Sequence, residues 1–377
     1  MPSRKLTTKQ DIEDFVRGCT LLGVGGGGFP QDGLHYLERE LDAGNVIEWV
    51  DVSEIGDDEW TATAYGMGST AYRTPEILAE MQRLGMVTPK YERKTAEALK
   101  FLENYTGKTV SVVVPLEIGA ANTPDPVGTG THLRKKIVDG DYAGGRAIPE
   151  VLQVSPAFAD VPMHPLASVD EWGNRVLIEQ ALNDTICERL GKLVSTVAFA
   201  LAGNATYLLP GSRMKELIVP GTLTRSYEVG KAIREAREAN RDPVAAVLAV
   251  TGGWKLFEGR CTKKDTESRE GYFWGTHSFE GSGDFAGHAF KIWLKNENHI
   301  TWLDDRPYVT SPDIITVVDA GTCEPTINPD VAEGKDYVVL GMKAHELFRS
   351  ERGLAVLSPK YFGFDMEYRP IERIVGG

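Results

Sequence analysis

Glu117 and Asn122 stand just past Thr109 to Leu116, a β-branched and nearly all-apolar segment, in the run Pro115-Leu116-Glu117-Ile118-Gly119-Ala120-Ala121-Asn122. A carboxylate at that position is partly desolvated, which raises its pKa toward that of a useful general base. The competing role is a cap in a strand-to-helix loop. A denser cluster follows in Val138-Asp139-Gly140-Asp141 and Gly144-Gly145-Arg146-Ala147-Ile148-Pro149-Glu150. Asp139 and Asp141 are two apart, so on an extended chain they share a face and could bind a metal or hold one shared proton. Arg146 offers a rigid fork for a carboxylate or a planar amide-like ligand; the alternative is a salt bridge bracing the loop. His164 lies in Val161-Pro162-Met163-His164-Pro165, an extended and rigid setting. It is a candidate base or metal ligand, or a structural residue. The remaining histidines show no HxH or HExxH spacing, and Asn296-Glu297-Asn298 reads as a turn at a strand end.

The glycine run Gly25-Gly26-Gly27-Gly28, within Leu21 to Pro30, is the second chemical feature. Each glycine loses more backbone freedom on folding than any other residue, so four together imply close approach to something. Pro30 suits the first turn of a helix, and a glycine loop feeding a helix start leaves N–H groups free for an anion or a developing negative charge. A tight turn between packed helices is the simpler role. The run lacks the Lys-Ser/Thr of a P-loop, its GxGxxG match follows a helix rather than a strand, and no GxSxG elbow occurs.

These residues need elements to hold them. Thr8 with Asp11 opens an amphipathic helix carrying Ile12, Phe15, Val16 and Cys19, and Leu34, Leu37 and Leu41 mark a second helix. Strands are expected at Val46 to Val50, Thr61 to Tyr65, Thr109 to Leu116 and Ile137-Val138, with helices opened by Pro75 and spanning about Tyr91 to Asn104. Strands alternating with helices predict a three-layer α/β/α sandwich with a largely parallel sheet. Ligands gather beyond the carboxyl ends of such strands, where Gly66 to Thr70 (with Gly68 and Ser69), Glu117 to Asn122 and Asp139 to Glu150 all fall. From about 183 to 250 the pattern is helical, with Ile186, Leu190, Leu193, Val194, Val197 and Leu201 in one stripe. Short alternating segments then predict a mainly β, barrel-like region. The expected division is 1–170 for the α/β domain and 171–377 for the remainder, with the last residues returning to the first domain.

The 377 residues carry a net charge of −13, which argues against nucleic acid or an anionic membrane as partner. Four dispersed cysteines fit a reducing compartment, and neither a signal peptide nor a spanning apolar run is visible, so a cytoplasmic protein is expected.

Taken together, the chain resembles the S-methyl thiohydantoin desulfurase-like family. The resemblance rests on Leu22 to Pro30, Glu117 to Asn122 and Gly145 to Glu150. It extends to Pro220-Gly221-Thr222-Leu223-Thr224, Asn296-Glu297-Asn298, Ser311-Pro312-Asp313-Ile314-Ile315, Tyr361-Phe362-Gly363 and Tyr368-Arg369-Pro370-Ile371-Glu372. Ala120 and Ile148 depart from the pattern, where a glycine and an aromatic are expected. The resemblance implies an N-terminal α/β sandwich and a C-terminal β domain, and relatives fused to or encoded beside hydantoinase/oxoprolinase-type enzymes. It also implies hydrolytic removal of sulfur from a thiohydantoin or its S-methyl form. Glu117, Asp139 or Asp141 would serve as base, and Arg146 or the Gly25 to Gly28 amides as donors to developing charge. Gly68, Ser69, Asn122 and Glu150 complete the expected pocket wall. A divalent ion such as zinc held by Asp139, Asp141 and His164 would also activate water, although the spacing does not require one. The expected partner is a small cyclic ureide or thioureide, in a homo-oligomer. Ring-opening hydantoinase-like chemistry and a non-catalytic ligand-binding subunit are the alternatives.

Overall fold

The computed structural model describes residues 4–68, 73–199 and 201–376. A six-stranded sheet organises the first part. Its order is Lys136–Ile137, Val112–Pro115, Trp60–Met67, Ala202–Pro210, Leu166–Val169 and Arg175–Ile178. The first three strands run parallel, and the remaining pairings are antiparallel. The sheet is therefore mixed rather than largely parallel. The difference comes from Ala-Gly-Asn-Ala-Thr-Tyr-Leu-Leu-Pro at 202–210, which lies within the stretch expected to be helical yet inserts as a central strand. Small and β-compatible residues between two helices disguise it, because their pattern follows no clean period of two.

Alternation along Trp60–Met67 divides the two faces. Ala62 and Ala64 pack with Ala98, Leu99 and Leu102 of the helix Lys94–Thr106. Tyr65 and Met67 face the opposite layer with Cys187 of the helix Asp184–Ala198. Helices on both faces make the expected three layers. Because Arg175–Ile178 and Ala202–Pro210 belong to this sheet, it does not end at residue 170.

The second sheet is a seven-stranded, wholly antiparallel, curled half-barrel. Its order is Arg306–Thr310, Glu297–Leu303, Ala289–Lys295, Tyr272–Gly281, Trp254–Arg269, Asp336–Met342 and Ile314–Asp319. Phe257, Phe279, Phe290 and Val339 fill its concave core. Val318, Val338 and Leu340 turn the other way and pack against the helices Lys9–Leu22 and Thr222–Glu238 through Phe15, Val16, Leu223 and Ile233. Those helices join the two sheets in one continuous apolar core.

Candidate active site

The glycine loop crosses from the first helix to the helix Pro30–Asp42 with φ positive at Val24, Gly25, Gly27 and Gly28. Its close partner is the segment after the strand Val112–Pro115. A Cβ at Gly27 would lie 2.4 Å from the Gly119 Cα, so the two backbones touch with no room for a side chain. The Gly27 carbonyl accepts hydrogen bonds from the Ala121 and Asn122 amides at 2.8 and 3.0 Å. Gly26 meets something else: a Cβ there would fall 1.9 Å from Oε1 of Glu297. Neither the Gly27 nor the Gly28 amide donates a hydrogen bond among the described residues.

A cavity of about 50 Å³ opens here, lined by Gly27, Gly28, Gly66, Glu117, Asn122, Lys192 and Glu297 among others. This volume admits about three to five waters. Glu117 is 3% exposed. Its Oε1 accepts from Asn122 Nδ2 at 2.6 Å, and its Oε2 accepts from the Ile148 amide at 2.7 Å. Asn122 in turn accepts from the Gly66 amide at 3.1 Å, tying the carboxylate to the neighbouring strand end. Burial outweighs both donors and pushes the Glu117 carboxyl up to about 7. Gly68 also lines the cavity; Ser69 lies outside the described residues.

Glu297 is the cavity residue that the turn reading missed. Asn296, with φ of 58°, does form the turn between Ala289–Lys295 and Glu297–Leu303. The tight hairpin aims Glu297 inward, against Gly26. Burial, and then the neighbouring Glu117 charge, hold its carboxyl well above the usual range. Two buried carboxylates facing one cavity favour a state in which one keeps its proton. The signal available in sequence was an acid beside a turn; nothing local distinguishes it from a solvated tip.

Arg146 stands behind this pair rather than in the cavity wall. Its Nε donates to the Ala147 carbonyl at 2.9 Å and its Nη1 to the Pro312 carbonyl at 2.7 Å. Burial lowers the guanidinium to about 10, opposed by the charges of Glu297, Asp313 and Glu117. Arg146 Nη2 and Glu297 Oε2 are both buried without a hydrogen-bond partner among the described residues. A buried cationic donor and a buried acceptor left unmatched are expensive unless a third group serves them.

The other predicted residues lie elsewhere. Asp139 accepts from the Leu223 and Thr224 amides at 3.0 and 3.1 Å and from the Thr224 hydroxyl at 2.5 Å. It thereby caps the helix Thr222–Glu238, whose own N-cap is Gly221. Asp141 accepts from the Ala143 amide at 2.5 Å and the Gly145 amide at 2.9 Å, bracing the glycine turn. The two carboxylates sit in separate networks and do not share a proton. His164 is half-buried near Asp184, ahead of the strand Leu166–Val169. Asp139, Asp141 and His164 do not converge, and no group of three His, Cys, Asp or Glu side chains is placed to hold a metal among the described residues. Glu150 is outside the cavity wall, bonded to Lys295 Nζ at 2.7 Å and to the Tyr361 hydroxyl.

The helix Asp184–Ala198 supplies what the apolar stripe concealed. It starts at Asn183, whose side chain accepts from the Ile186 amide at 3.0 Å, and ends at Phe199 in the left-handed region. Leu193 and Val197 point outward, 60% and 66% exposed, while Glu188 and Lys192 face the cavity. Reading apolar residues as the inward face inverts this helix.

Residues 10–180 match the S-Me-THD-like N-terminal domain and residues 182–371 its C-terminal domain. No curated protein matches the sequence. A crystal structure of a protein from Chromobacterium violaceum is similar with a TM-score of 0.76 at 21% identity, covering 98% of this chain and 100% of that one. At that identity the likeness establishes the fold. With both domain models matched in order over most of its length, the chain belongs to the S-methyl thiohydantoin desulfurase-like family.

Proposed function

We propose that the protein is a hydrolase that removes sulfur from a thiohydantoin or S-methyl thiohydantoin. The observation that carries this reading is the pair Glu117 and Glu297, two buried carboxyls opening on one small cavity beside the free Gly27 and Gly28 amides. With S-methyl substrate, Glu117 takes a proton from water as the oxygen bonds to the ring carbon bearing sulfur. The C=N electron pair moves to the ring nitrogen, which takes its proton from Glu297. The tetrahedral adduct then collapses as its hydroxyl proton returns to Glu297, the carbon–sulfur bond breaks with its electron pair on sulfur, and the proton that Glu117 took from water is the one that in net ends on sulfur, giving methanethiol and a hydantoin. Ionised Glu117 beside protonated Glu297 is the protonation state this sequence requires, and general acid–base catalysis of this kind typically supplies about 10²–10⁴-fold. The Gly27 and Gly28 amides serve developing charge on the substrate. Arg146, behind the pair, keeps Glu117 ionisable in an apolar setting.

The test is incubation of the purified protein with a panel of S-methyl thiohydantoins, following methanethiol and hydantoin. Stoichiometric release of both supports the reading. An N-carbamoyl amino acid as product would assign ring opening instead, and binding without turnover would assign a ligand-binding subunit.

A further inference from the structure

Lys192 is the one cation in the wall of the cavity among the described residues, and its charge acts on Glu297 across that cavity. It is 8% exposed on the inward face of the helix Asp184–Ala198. Its Nζ lies 3.3 Å from Glu188 Oε1 and 3.1 Å from the centre of the Tyr272 ring. Glu188 is itself fixed, its Oε2 accepting from the Val151 amide at 2.8 Å. Lys295 approaches the same ring, 4.3 Å from its centre, and is held by Glu150. Tyr272 comes from the second sheet, so the ammonium is clamped between the two sheets by an aromatic face and a carboxylate.

A lysine placed only to neutralise Glu188 gains little from such burial, since desolvation offsets the attraction in a buried pair. Placement beside a reacting group gives it a purpose. Burial lowers its pKa, as does the neighbouring Lys295, while Glu188 opposes the shift. Such an amine gives up a proton more readily than a solvated lysine.

We propose that Lys192 is a further catalytic residue, the general acid that protonates the departing sulfur. This rests on the desulfuration reading given above. As the tetrahedral adduct collapses, the C–S bond breaks with its electron pair on sulfur. A Lys192 N–H bond breaks and an S–H bond forms, while the adduct's hydroxyl gives its proton back to Glu297 as the C=O bond forms; the neutral amine then regains a proton from Glu117, through water in the cavity, so that all three groups return to their starting states. A thiolate leaves faster the lower the pKa of its thiol, so a basic alkyl thiolate gains more from protonation as it departs than a less basic one does. The requirement for Lys192 therefore depends on the leaving group.

The experiment compares S-methyl with S-(2,2,2-trifluoroethyl) thiohydantoin, a similarly compact substrate with a much less basic thiolate. Rates of thiol release are measured for wild type, Lys192→Met and Lys192→Arg. The expected result is a loss of about 10²-fold or more with the S-methyl substrate in both variants, and of less than about 10-fold with the trifluoroethyl substrate. Lys192→Arg keeps the positive charge and the Glu188 pairing without a readily donated proton. If it retains wild-type rates, or if both substrates suffer equally in folded variants, Lys192 is a structural or electrostatic residue and the proposal falls. If wild type releases thiol from neither substrate, the desulfuration reading fails and this role fails with it.

Discussion

At the residue scale, the chemistry turns on two carboxyls that face one cavity and do not both ionise. Burial pushes Glu117 up to about 7, and burial with the charge that Glu117 acquires holds Glu297 well above the usual carboxylate range. Activity should therefore rise with pH through about 7 as Glu117 ionises while Glu297 keeps its proton, and kcat/KM measured from pH 5 to 9 checks this. A profile flat across that window would remove Glu117 as the base. Glu117→Gln should abolish turnover, and Glu297→Gln should lower kcat by about 10²–10⁴-fold, with melting temperatures close to wild type. Glu117 was legible in sequence because an acid following an apolar strand is unusual in itself. Glu297 and Lys192 were not, since one sits in an ordinary hairpin turn and the other on a helix whose outer face is the apolar one.

At the scale of elements, the glycine loop separates packing from chemistry by one residue. Gly27 abuts the Gly119 backbone and has positive φ, so Gly27→Ala should destabilise the protein by about 2–4 kcal/mol. Gly26 has no positive φ, and the three atoms nearest its added Cβ, at 1.9, 2.6 and 3.1 Å, all belong to the Glu297 side chain rather than to backbone. Gly26→Ala should leave the melt nearly unchanged and reduce kcat/KM at least about 10-fold by displacing that carboxylate. Equal effects of the two substitutions on stability would return the loop to the role of a turn. The helix Thr222–Glu238 gives the opposite case: Asp139→Ala should cost about 1–2 kcal/mol through the lost cap and spare kcat of the folded fraction, as denaturant titration with steady-state kinetics would register. The cluster at Asp139 and Asp141 was visible as a density of acids and glycines in one short stretch of this chain, yet its chemistry is that of capping. Spacing alone does not reveal whether an aspartate meets solvent, ligand or a distant helix start.

At the scale of the whole molecule, burying acids has a signed consequence for stability. Glu117 and Asp141 are each raised by burial to about 7. The folded protein thus holds protons that the unfolded chain releases above about pH 4, so stability is present below that range and falls as pH rises toward 7. The unfolding midpoint should be lower at pH 8 than at pH 5, and Glu117→Gln should reduce the difference; an unchanged difference would mean that Glu117 is not buried as its surroundings indicate. The three-layer first part and the β-rich second part were legible from alternating strands and helices followed by short alternating segments. The mixed character of the first sheet was not, because Ala202–Pro210 returns across sequence to its centre and runs antiparallel to Trp60–Met67. No helix among the described residues is long and apolar enough to cross a membrane.

The central claim is that water activated by Glu117 replaces sulfur on an intact ring. Turnover of an S-methyl thiohydantoin in H₂¹⁸O, with mass analysis of the products, tests it most directly. The account predicts methanethiol and a closed hydantoin carrying one ¹⁸O in wild type, and neither product with Glu117→Gln. A ring-opened product that retains sulfur, or unchanged release by Glu117→Gln, would contradict it.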